Sequence, residues 1–210
     1  MSLRSHLYRL DRYCALLLGR PSLIDDDFVD NPGPVSRPDA SVSTFTFFVH
    51  RHSLARISER IKRKVFHGEL PPYDVVLSLE AELRSWSEQL PPELSILEEG
   101  QIGTSQAFPA DTSGQARDLR QQRFQISIEY NFLRMTLHRP FLFLAINDEK
   151  YQPSRQACIS TALNDVACRA SPSQQPAPGF KPLTGTYVSR ETTSFAKVEQ
   201  WLTILCHFTL

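Results

Sequence analysis

Glycine is scarce in this chain: eight residues among 210 leave little backbone free to cradle a phosphate. No Walker loop, G-x-G-x-x-G or G-x-S-x-G phrase occurs. Cysteine is scarcer still. Cys14, Cys158, Cys168 and Cys206 are scattered and form no C-x-x-C, which excludes a disulfide framework and argues against a structural zinc site. They read as reduced, mostly buried thiols of an intracellular protein. No charge of one sign dominates, because 23 basic residues meet 23 acidic ones; a stand-alone nucleic-acid binder carries a basic excess. Long apolar runs are also missing. Phe141 to Ile146 is far short of the roughly 20 residues a membrane span needs. Met1 leads into a polar, charged helix pattern with no apolar leader core, so no membrane partner is expected.

What is present is helical periodicity. Leu3, Leu7, Leu10, Cys14 and Leu17 recur at steps of four and three and mark one face of a helix, expected to point inward. Gly19 stands where a left-handed C′ residue belongs, and Pro21 forbids continuation. Residues 25–42 read as a polar loop. A second helix starts near Ser43, with Phe45, Phe48, Val49, Ile57, Ile61 and Val65 on one side and Arg56, Arg60, Arg63 and Lys64 on the other. A third carries Val76, Leu79, Leu83, Trp86 and Leu90 and is ended by Pro91-Pro92.

Residues 91–116 form a long polar linker of a length uncommon inside one domain. A fourth helix runs from about Arg117 to Arg139 with Leu119, Ile126, Tyr130, Leu133 and Leu137 inward; Pro140 kinks or ends it. "FLFLAI" then continues as a short buried helix, and a fifth main helix spans Pro153 to Arg169 with Cys158, Ala162 and Val166 on one side. Residues 169–193 are a proline-rich insert or linker, and residues 194–210 regain a helical period. The pattern stops at Leu210 while still apolar, as a chain cut inside a domain would. The fold class is all-α, an irregular multi-helix domain and an incomplete piece of a larger one.

Candidate chemistry is thin. Asp25, Asp26 and Asp27 are adjacent and lack the alternate spacing of a calcium loop; a solvated acidic loop or a helix cap is the better reading. His50 and His52 are two apart, whereas zinc pairs on helices are spaced by four. The basic run Lys62-Arg63-Lys64 reads as a solvated face before it reads as an import signal. Cys158 would be a nucleophile only beside a histidine base. No residue is assigned a catalytic or metal-binding role.

Four phrases, in order, resemble one family. "LYRLDRYCALLLGRPSLIDDDFVD" (Leu7 to Asp30) is similar to the signature of the middle regulatory domain of fungal Zn₂Cys₆ transcription factors, the fungal-specific or xylanolytic-activator type, through Asp11, Arg12, Gly19, Arg20, Pro21 and Ile24. "FVHRHSLARISERI" (Phe48 to Ile61) resembles that domain's second helix. "LEAELRSWSEQLPPEL" (Leu79 to Leu94) resembles its Leu-x-x-Trp phrase through Leu83, Trp86, Leu90 and Pro91. "YNFLRMTLHRPFL" resembles its Leu-His-Arg-Pro phrase through His138, Arg139 and Pro140, with Ser154, Cys158 and Ala162 in the helix that follows. The match covers about residues 1–168; past Ala170 only "EQWLTILCHFTL" vaguely resembles a later helix of the family.

The resemblance implies a regulatory part of a nuclear factor controlling RNA polymerase II transcription. It implies no cofactor in this chain, since the family's zinc belongs to an N-terminal six-cysteine cluster missing here, and DNA would be reached only through that cluster. Transcriptional co-regulators, a small-molecule effector and a homodimer of the full-length protein are the further partners it implies. The alternative is a stand-alone helical ligand-sensing or protein-interaction domain, with Phe45, Phe48, Trp86 and Phe141 as candidate pocket lining. Within this frame Arg20 and Arg139 are expected as interior anchors paired with carboxylates or helix carbonyls, Asp11 being a candidate partner. Apolar faces left uncovered would make the isolated chain marginal.

Overall fold

A computed structural model describes residues 3–25, 44–66, 68–97 and 114–170. All six helices among them are α: α1 Leu3–Leu18, α2 Thr44–Val65, α3 Tyr73–Glu88, α4 Gly114–His138, the single turn α5 Leu144–Asn147, and α6 Gln152–Ala170, with 3₁₀ turns at Pro92–Leu94, Arg139–Phe141 and Glu149–Tyr151. The described residues contain no strand. The segments 98–113 and 171–210, which hold most of the expected linker, the insert and the last helical period, lie outside the described residues. The chain divides into two compact units, Met1–Ser95 and Ile96–Leu210.

In the first unit α1 packs on α2 and α2 on α3. The α3 stripe is buried as its spacing predicts, with Val76, Leu79, Leu83, Trp86 and Leu90 all in the core. Ile57, Ile61 and Val65 of α2 are buried as well, but Phe45 is exposed and Phe48 and Val49 are half-buried. The expectation for α1 is corrected. Leu7, Leu10 and Leu17 are 49%, 50% and 65% exposed, and Cys14 is exposed too. The buried residues of α1 are Tyr8, Arg12 and Ala15, at steps of four and three on the other side of the same helix. The physical reason is the guanidinium of Arg12, which meets the Glu59 carboxylate of α2.

α1 stops by a Schellman turn. Gly19 adopts φ +61, and the Arg20 N–H donates to the carbonyl of Ala15 at 3.0 Å, closing the six-residue loop that defines the motif. A Cβ at Gly19 would meet nothing within 4 Å, so backbone conformation alone selects glycine here. Gly19→Ala is therefore expected to cost about 1–2 kcal/mol, read from the denaturation midpoint, with Gly19→Asn costing less.

The second unit is built on the pairing of α4 with α6. α4 begins at Gly114, earlier than the periodicity suggests, and Pro140 turns its end into a 3₁₀ turn in which the Leu142 N–H reaches the Arg139 carbonyl at 3.1 Å. Ile126, Tyr130, Leu133 and Leu137 are buried; Leu119 is half-buried. "FLFLAI" is not the buried helix expected. Phe141 and Ala145 are buried, while Phe143, just before the short α5, and Leu144 and Ile146 on it are exposed. A four-residue turn can bury only one side of itself.

Candidate functional site

The largest constellation of charged side chains lies where α1, its exit corner and α2 meet. Arg12 is 1% exposed. Its guanidinium lies 4.5 Å above the Tyr8 ring, 3.2 Å from Asp11 Oδ2 and 3.6 Å from Glu59 Oε2. Glu59 is the hub: Ser22 Oγ donates to it at 2.7 Å, Arg63 Nε at 2.8 Å and Lys62 Nζ at 2.9 Å. Lys62 Nζ also donates to Ser22 Oγ. Asp11 holds the corner itself, accepting from the Leu23 N–H at 2.8 Å and the Ile24 N–H at 3.1 Å. Two carboxylates thus face three cations, and the chain leaving α1 is pinned to both helices.

Burial by itself would raise the pKa of Glu59. The hydrogen bonds from Ser22, Arg63 and Lys62 and the charge of Arg12 outweigh it and hold the carboxyl at about 2 instead of 4.5. A carboxyl depressed in the fold contributes stability that is complete above its unfolded value. Stability is therefore expected to be intact above pH 4.5 and to fall as the pH drops from there towards about 2. Denaturation midpoints across that window test this; Glu59→Gln, which does not titrate, should flatten the slope.

The residues singled out by sequence are distributed as follows. Asp11 and Arg12 enter this network, and Gly19 shapes the corner beside it. Arg20 and Pro21 are exposed, so Arg20 is not the interior anchor expected; Arg12, eight residues earlier, is buried instead, where α2 supplies a carboxylate. Trp86 is buried in α3 of the same unit. His138, Arg139 and Pro140 belong to the second unit. There His138 is buried and its Nδ1 lies 2.8 Å from the buried Ser154 Oγ, whereas Arg139, expected as an interior anchor, is only half-buried. Ser22 and Glu59 were missed, and Lys62, expected on a solvated face, is instead buried and paired with Glu59. The available signal was the Ala55–Glu59–Lys62 spacing, which places Glu59 on the side of α2 that a small residue already marks as packed.

Other candidates dissolve into packing. His52 stacks on Tyr8 at 4.7 Å, and burial lowers the pKa of His50. Asp25 is exposed, and Asp26 and Asp27 lie outside the described residues. Arg60 is paired with Glu82 of α3, Nε to Oε2 at 3.2 Å. Cys158 is fully buried among Met135, Leu142, Ile159, Ala162 and Leu163, with its thiol 4.0 Å from the Met135 carbonyl. Phe45, Phe48 and Trp86 lie in one unit and Phe141 in the other, with Phe45 exposed, so neither unit gathers the proposed pocket lining. Among the described residues no group of three His, Cys, Asp or Glu side chains is placed to hold a metal, and no helix is long and apolar enough to cross a membrane.

Fold and site define an all-helical protein whose charged constellation pairs α1, its exit corner and α2 with one another. A protein of similar sequence is known. Over 144 residues the chain is 26% identical to "Transcription factor phm2" of Pyrenochaetopsis sp, a stretch that is 68% of this chain and 18% of that relative. No family model matches the chain, and no solved structure matches it.

Proposed function

We propose that this chain is the regulatory part of a fungal nuclear transcription factor acting on RNA polymerase II promoters, and that it works by protein contacts and not by chemistry. The observation that carries the reading is the similarity to a transcription factor over 68% of the chain. The order of its four phrases supports the finer assignment to the middle regulatory domain. DNA recognition belongs, in this reading, to a zinc cluster outside the chain; the zero net charge is in keeping with a part that does not itself grip phosphates. Co-regulator proteins are its direct partners. A metabolite or second subunit that binds one helical arrangement better would shift the output.

The test is a fusion of the full chain to an unrelated DNA-binding domain, with a reporter placed behind that domain's site in a fungal nucleus. Transcription should change relative to the DNA-binding domain alone, and Glu59→Ala should abolish the change by loosening the first unit. A fusion that occupies the promoter, stays folded and leaves transcription untouched would sink the proposal.

A further inference from the structure

Two buried side chains between α4 and α6 have polar atoms that the protein does not satisfy. Asn131 is 1% exposed and Thr161 is not exposed at all, yet Asn131 Nδ2 and Thr161 Oγ1 have no hydrogen-bond partner. Their neighbours along the same helices do not share this fate. Ser127 Oγ accepts from the Leu97 N–H at 3.0 Å and donates to the Arg123 carbonyl at 2.9 Å, and His138 is bonded to Ser154. Hydroxyls elsewhere turn back onto their own helix, as Ser58 does to Ala55 and Ser160 to Ala157; Thr161 does not.

The helix register brings the two together. α4 and α6 run antiparallel, since His138 meets Ser154, Met135 meets Cys158 and Phe124 packs with Cys168. Counting back from His138 to Asn131 is seven residues, and counting forward from Ser154 to Thr161 is also seven. Seven residues are close to two turns and about 10.5 Å on each axis, so the pair that follows His138–Ser154 at the same height and on the facing sides is Asn131–Thr161. Small residues flank it on α6, with Ala157 and Cys158 buried one turn away.

We infer that Asn131 and Thr161 hold a single internal water molecule, a binding site built into the α4–α6 interface. Water is the guest that fits. It both donates and accepts, so it serves the amide and the hydroxyl at once, and buried polar groups left without protein partners are where internal waters are found. A larger polar guest would need a way in, and both side chains are closed off from solvent. The inference is independent of the role in transcription.

The sign of one substitution tests it on the full chain. Thr161→Val keeps the shape and removes the hydroxyl. With a bridging water it strands both the water and Asn131, and the thermal midpoint should fall by about 4–8 °C. Asn131→Leu should lower it similarly, and the double variant should lose clearly less than the two together because they share one guest. A Thr161→Val midpoint that is unchanged or raised would overturn the site, since the hydroxyl would then be merely unpaired. Water cross-relaxation in NMR gives a readout that needs no variant: long-lived contacts from water to the Asn131 amide and Thr161 side chain are expected, and their absence would count equally against it.

Discussion

Glu59→Ala is expected to destabilise the first unit by about 3–5 kcal/mol, the scale on which a buried ion pair costs when one partner is removed. The substitution leaves Arg12, which is 1% exposed, without its cross-helix carboxylate, and it releases Ser22, Lys62 and Arg63 from the acceptor they share. Arg12→Ala should cost a similar amount for the complementary reason, by leaving Glu59 with an incomplete set of donors. Their double variant should lose less than the sum, because both act on one contact. Arg20→Ala is the control: an exposed arginine outside the network should change stability by no more than about 0.5 kcal/mol. Urea denaturation followed by circular dichroism measures all four. A Glu59→Ala midpoint equal to the parent's would show that the network contributes nothing.

Trp86→Ala should be comparably severe. Trp86 is 5% exposed and sits on the α3 stripe between Leu83 and Leu90, which are 0% and 8% exposed. Truncating a buried tryptophan removes its transfer energy and leaves a cavity that the stiff helix cannot collapse, about 3–5 kcal/mol in all. Against a total domain stability of roughly 5–15 kcal/mol, that removes a large share. Trp86→Phe refills most of the volume and should cost distinctly less. Equal losses for alanine and phenylalanine would point to the indole nitrogen, and not to volume, as what matters at this position.

These two sites differ in how far the sequence exposes them. On α3 the apolar residues at 3-4 spacing lie on one face and Leu77 is the exception, exposed on the other, so the spacing identifies the buried side. α1 offers two faces with the same spacing. The leucine face is apolar yet exposed, and the face of Tyr8, Arg12 and Ala15 is buried although it carries a charge. Periodicity weighs each helix against water; it does not know that Glu59 waits on α2 to neutralise Arg12. For the same reason Arg20 was expected inside and Arg12 was not assigned the anchor. The Gly19 stop was legible because a helix end is a local event, set by one residue's φ. The Asn131–Thr161 pairing was not, since it depends on the register of two helices and joins residues thirty apart in the chain.

The cysteines give the molecule a chemical readout of its own motions. Cys14 is exposed in the first unit, while Cys158 and Cys168 are buried on α6 in the second. Followed thiol by thiol from peptide masses, so that Cys206 is counted apart, alkylation will therefore reach Cys14 directly and the α6 pair only when α6 lifts from α4. The lag between the two rates converts directly into the free energy of that opening when reclosure outpaces alkylation. Without any engineered label, the chain reports how often its second unit breathes, and a partner that seats on that unit would announce itself as a slowing of the buried thiols alone.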